Sequence, residues 1–117
     1  MTGTFQSMTI NFPEVARIFE QRESGSDSFK FLFKSAVDLM KSDSGHAVFY
    51  FTIYVAAHNY VQAYEDQGVA PEFSEMAKRA LVGLNSKVVL ALSSSPETAL
   101  NLLNEVAYEY QINIHDF

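Results

Sequence analysis

The chain contains no cysteine, which excludes a disulfide framework, a thiol nucleophile, a thiolate metal site and iron–sulfur ligation through Cys. Any metal or catalytic chemistry therefore has to come from oxygen and imidazole groups. Basic residues are few, with 8 Lys plus Arg against 14 Asp plus Glu and a formal net charge of −6. That balance argues against a broad phosphate-contacting surface, so nucleic acid is a poor candidate partner. Glycine is sparse too: Gly3, Gly25, Gly45, Gly68 and Gly83 stand apart and make neither a phosphate-binding loop nor a dinucleotide fingerprint. The Gly-x-Ser-x-Gly setting of an esterase is missing, as is the Glu-x-x-His pair of a di-iron bundle. We expect no metal, no cofactor and no catalytic residue, and favour a non-catalytic role over an enzyme.

Long apolar runs are lacking as well. The most apolar stretch extends from Ala47 to Ala57 before His58, Asn59 and Gln62 interrupt it, short of the roughly 18 to 20 residues that span a bilayer. Residues Met1 to Met8 show neither the positive stretch nor the apolar core of a secretory leader, and a cytoplasmic setting is the expectation. At 117 residues the chain suits a single domain over 1–117 with a sizeable core.

The patterning is helical throughout. Asn11 before Phe12, Pro13 and Glu14 reads as an N-cap and capping box, followed by Val15, Ile18 and Phe19 on one face. Ser24-Gly25-Ser26 ends this short helix. A second helix starts near Ser26 and carries Phe29, Leu32, Phe33, Ala36, Val37 and Met40 on its stripe, up to the polar break at Ser42-Asp43-Ser44-Gly45. A fourth begins with Pro71 and Glu72 and runs to about Leu92, with Phe73, Met76, Ala77, Ala80, Leu81, Leu84 and Val88 on one side. Gly83 weakens it, or serves a close helix contact. Ser95 as N-cap and Pro96 as first helical residue open a fifth, with Leu100, Leu103, Val106, Ala107 and Tyr110 as its core stripe. The fold class is all-α, a compact bundle of four main helices plus a short N-terminal one. Alternation in Thr9–Phe12 and Gln111–Phe117 leaves a short extended pairing of the two ends as the less favoured alternative.

The third segment, His46 to Gln67, holds no Lys or Arg and four of the six tyrosines. It is apolar on every side of a helical projection, and such a helix is expected to be buried all round. A small bundle rarely encloses one helix completely with its own chain. We therefore expect another copy of the chain or a different protein to cover the outer side, and favour a homodimer formed through this helix, with Phe49, Ile53, Tyr60, Tyr64, Glu65 and Asp66 as candidate interface residues. A central strand over Val48–Val55 is the competing reading, disfavoured by the length of the pattern.

Tyr50, Tyr54 and His58 recur four apart on one face and are the one nucleus for a ligand pocket. A histidine amid aromatics in a core helix is more often a packing residue. His46 and His115 lie near segment ends without metal-ligand spacing, and Lys78-Arg79 with Lys87 is read as an ordinary solvated face. From Ser42 to Ala77 there are five acidic residues and no Lys or Arg, a surface that would steer a basic protein partner. The functional expectation is a protein-binding regulatory module, inhibitor, immunity-type or chaperone-like. A small-molecule binder or enzyme built around Tyr50, Tyr54 and His58 is the alternative.

Overall fold

The computed structural model describes residues 10–114. They form five α-helices, of which the first is short: α1 Phe12–Gln21, α2 Ser26–Ser42, α3 Ala47–Tyr64, α4 Pro71–Leu92 and α5 Pro96–Tyr108. A 3-10 turn at Ser44–His46 precedes α3, and a π-helical turn at Glu109–Asn113 follows α5. The all-α bundle expected from the periodicity is the architecture observed. Val48–Val55 lies within α3, so the strand reading is overturned: the helical pattern continues through Tyr64 and secures the backbone bonds internally.

Local chemistry explains the boundaries. The Asn11 side chain accepts from the Glu14 backbone N–H at 3.0 Å, while the Glu14 carboxylate pairs with Arg17. At α5, the Ser95 hydroxyl accepts from the Thr98 N–H at 3.4 Å, with Pro96 in the first turn. Pro71 opens α4 in the same way, since its missing N–H would have had no helical partner. The C-terminal alternation is overridden by the π-helical turn, whose Ile114 N–H donates to the Glu109 carbonyl at 2.9 Å. At the other end Asn11 serves as cap and Phe12 is already helical. No strand occurs among the described residues; Thr9 and His115–Phe117 lie outside them.

The core gathers Phe12, Val15 and Phe19 of α1, Phe29, Leu32, Ala36 and Leu39 of α2, and Tyr50, Ile53, Ala57 and Tyr60 of α3. Leu81, Leu84 and Val88 come from α4, and Leu103 and Val106 from α5. The α2–α3 hairpin is the most extensive helix pair, with α4–α5 second, and α1 spans α2 and α4. An aromatic column runs through the centre. Phe29 stacks on Tyr60 with centroids 4.1 Å apart, Phe19 meets Phe29 edge-on at 5.5 Å, and Tyr64 meets Phe73 at 5.0 Å. Each such pair adds about 0.5–1.5 kcal/mol beyond the area it buries.

Several stripe assignments shift. Met76 and Leu100 are exposed at 48% and 59%, and Ala107 is exposed too, whereas Leu39 and Ala99 are buried. These stripes are broader than one helix row, and crossing angle decides which edge of each is covered. Gly83 serves no close contact, since a Cβ there would meet nothing within 4 Å. Gly83→Ala should therefore stabilise the protein by about 0.5–1 kcal/mol by restoring helix propensity, read as a higher urea midpoint. Phe29→Leu, which keeps bulk but removes the stack, should cost about 1–2 kcal/mol in the same measurement.

Candidate binding surface

Of the three residues expected to share a pocket, the structure separates one from the other two. Tyr50 is buried at 3% exposure, its ring tilted against Phe12 at 6.0 Å. Its hydroxyl donates to Asp43 Oδ2 at 2.6 Å. His46 Nδ1 lies 3.0 Å from the same oxygen, and the His46 ring meets Phe49 edge-on at 4.9 Å. This Asp43–His46–Tyr50 cluster is the joint between α2 and α3. Periodicity within one helix did not point to it, because Asp43 sits across the turn; an acid seven residues before a buried tyrosine is the available signal.

The joint's electrostatics follow from its geometry. The Tyr50 hydrogen bond holds the Asp43 carboxyl below the usual carboxylate range, with partial burial opposing and His46 assisting. Burial, then the hydrogen bond to Asp43, pushes the Tyr50 phenol well above its ordinary value. A depressed carboxyl contributes stability that is present above its unfolded pKa and is lost as pH falls through the folded one. The raised phenol acts on the alkaline side, contributing below its unfolded pKa and losing that contribution as pH rises through the folded value.

Tyr54 and His58 stack on each other at 5.1 Å, and Phe33 of α2 meets both edge-on, at 6.0 and 5.0 Å. His58 Nε2 lies 3.5 Å from Gln62 Nε2. These two rings are half-buried packing partners of α2. The candidate interface residues also divide. Ile53 and Tyr60 are sealed in the core at 0% and 2% exposure, so neither offers surface to a partner. Tyr64 packs against Tyr60 and Phe73, and Glu65 pairs with Lys30 of α2. Phe49 is half-buried beside His46, and Asp66 is exposed in the turn after α3.

The outer side of α3 is instead marked by Val48, Phe51, Val55 and Asn59, at helical spacing. Val48 and Phe51 are 57% and 48% exposed. Between this row and the end of α5 runs a groove of about 250 Å³, lined by Phe51, Thr52, Val55, Asn59, Val106, Ala107, Tyr110 and Gln111. No charged side chain lines it. Asn59 Nδ2 donates to the Tyr110 hydroxyl at 3.1 Å across it, and Tyr108 and Ile112 stand exposed on the α5 side at 62% and 52%.

Sequence reasoning also missed Asn85. It lies on α4 at helical spacing with Leu81, Leu84 and Val88, yet is 1% exposed, and its amide nitrogen and oxygen have no hydrogen-bond partner among the described residues. A polar residue interrupting an apolar stripe was the signal. Among the described residues, no group of three or more His, Asp or Glu is placed to hold a metal ion, and no helix is long and apolar enough to cross a membrane.

Comparison of the chain with protein-family models, curated proteins and solved structures gives no match.

Tyr50→Phe should cost about 1–2 kcal/mol by deleting a bond to a charged acceptor, read in urea unfolding. The same substitution should move the Asp43 carboxyl midpoint upward in an NMR titration. An unchanged midpoint would show that Tyr50 does not hold Asp43 ionised.

Proposed function

We propose that this protein is a protein-binding regulatory module whose docking surface is the groove between α3 and the end of α5. The observation that carries this reading is the uncovered apolar face of α3: Val48 and Phe51 remain exposed beside an uncharged groove. Water is displaced from such a surface at little polar cost, and exposed apolar patches rimmed by polar groups mark interaction sites. Phe51 is the anchor, a large ring standing at the groove wall.

The occupant is an apolar segment of a basic partner. A second copy of this chain would bring another net charge of −6 to the contact, and like charges oppose that encounter while favouring a basic one. The uncovered α3 face supports the protein-binding reading over the small-molecule alternative, whose residues are divided, with Tyr50 packed against Phe12 and Tyr54 and His58 against Phe33.

The test is a photo-crosslinking residue at position 107, which lines the same groove as Phe51, expressed in the native host. A foreign basic protein joined at that position, and lost from the Phe51→Glu variant, is the expected result. Crosslinks only between copies of this chain would replace the foreign partner by a homodimer, and an absence of crosslinks from the folded protein would sink the proposal. Phe51→Glu should retain the far-ultraviolet circular dichroism and change stability by less than about 1 kcal/mol, because the side chain it replaces is half exposed.

A further inference from the structure

A separate feature lies on the other side of the bundle, where α1 crosses α4. Asn85 faces a groove of about 260 Å³ whose walls include Ala16 of α1 and Val82 and Val89 of α4, with Arg17 and Glu20 along the α1 rim. Native folds satisfy the great majority of buried polar groups, and each exception asks for an explanation. Here both halves of one carboxamide are unmet among the described residues, and each atom exposes less than 1 Å². The neighbouring Ser86 hydroxyl donates back to the Val82 carbonyl at 3.0 Å, so its proton is not available to the Asn85 oxygen.

The chemistry of the orphan group defines what would satisfy it. A primary carboxamide carries an acceptor oxygen and a syn N–H side by side in one plane. Its complement is the same pair reversed, an N–H beside a C=O held cis, which closes a ring of two hydrogen bonds. Pro13, Ala16, Val82 and Val89 give the groove an apolar strip on which a flat ring can lie. An anion is disfavoured: Glu20 stands on the rim, while Arg17 is already engaged by Glu14 and by Gln21 at 3.2 Å.

We propose that the α1–α4 groove is a binding site for a small, neutral, planar molecule presenting a cis-amide edge to Asn85. A lactam, a primary carboxamide and a pyrimidine base share that edge. Because the amide is closed to bulk water, entry requires α1 to ease outward from α4, and the bound ring then takes the place of the missing partner. This site is independent of the α3–α5 groove and of the partner proposed for it.

The test follows the Asn85 side-chain amide signals in ¹⁵N-labelled protein during titration with 2-pyridone, benzamide or uracil, three probes that separate the lactam, carboxamide and pyrimidine sources. N-methyl-2-pyridone, which keeps the ring but lacks the N–H, is the control. A saturable shift with at least one probe, weakened about tenfold or more when the N–H is absent, is the expected result. Asn85→Leu should abolish the binding, and Ala16→Leu, which fills the groove from α1 and keeps the Asn85 carboxamide, should do the same. Equal binding of the two pyridones, no saturable shift with any probe, or shifts confined to another surface would overturn the proposal. The wild-type titration decides the matter even if a variant fails to fold.

Discussion

The stack of Phe29 on Tyr60 is the contact on which the arrangement of the helices depends. Two rings 4.1 Å apart and 22° from parallel fix both the separation of α2 and α3 and their relative sliding, because a shift of one residue along either helix would swing a ring out of the column. Phe19 from α1 closes one side of this pair, and Phe73 from α4 lies 6.3 Å from Tyr60 on another. Four helices are thereby registered against one another by aromatic geometry. The Asp43–His46–Tyr50 joint at the start of α3 and the Lys30–Glu65 pair at its end then fall into place as consequences of that register. The fifth helix reaches α3 differently, through Val106 and the Asn59–Tyr110 bond, and it leaves the outer row of α3 open. The groove is thus a result of how unevenly the aromatic column distributes cover around one helix.

Much of the fold was legible in the sequence because its punctuation is chemical. Asn11, Pro71, Ser95 and Pro96 each have one good place in a helix, and each occupies it. The division of α3 was not legible, because the helix has no polar face to say which way is out. Ile53 and Phe51 are equally apolar; only the position of α2, α4 and α5 makes one sealed and the other exposed. The same ambiguity separated Tyr50 from Tyr54 and His58. Eight residues of helix drift by about 80° from a straight row at 3.6 residues per turn, enough to send the first ring under Phe12 and leave the others against Phe33.

The C-terminal alternation misled for a different reason. Period-two patterning marks a strand only where another strand is available to take its backbone bonds. With no strand alongside among the described residues, Glu109–Asn113 found their partners within their own turn. Asn85 shows the converse: its polarity breaks a stripe that is otherwise apolar, and the structure leaves that break unresolved at the α1–α4 seam.

The aromatic column also gives the molecule an optical identity. With no tryptophan and with 6 tyrosines and 10 phenylalanines, near-ultraviolet absorption belongs to those two ring types alone. Tyr60 and Phe29 are held rigidly in a chiral setting, while Tyr108 stands in solvent. Near-ultraviolet circular dichroism therefore reports mainly on packing at the centre of the bundle, distinct from the helix content seen in the far ultraviolet. The protein carries, without any label, a spectroscopic gauge of whether its core is crystalline in its order or merely helical.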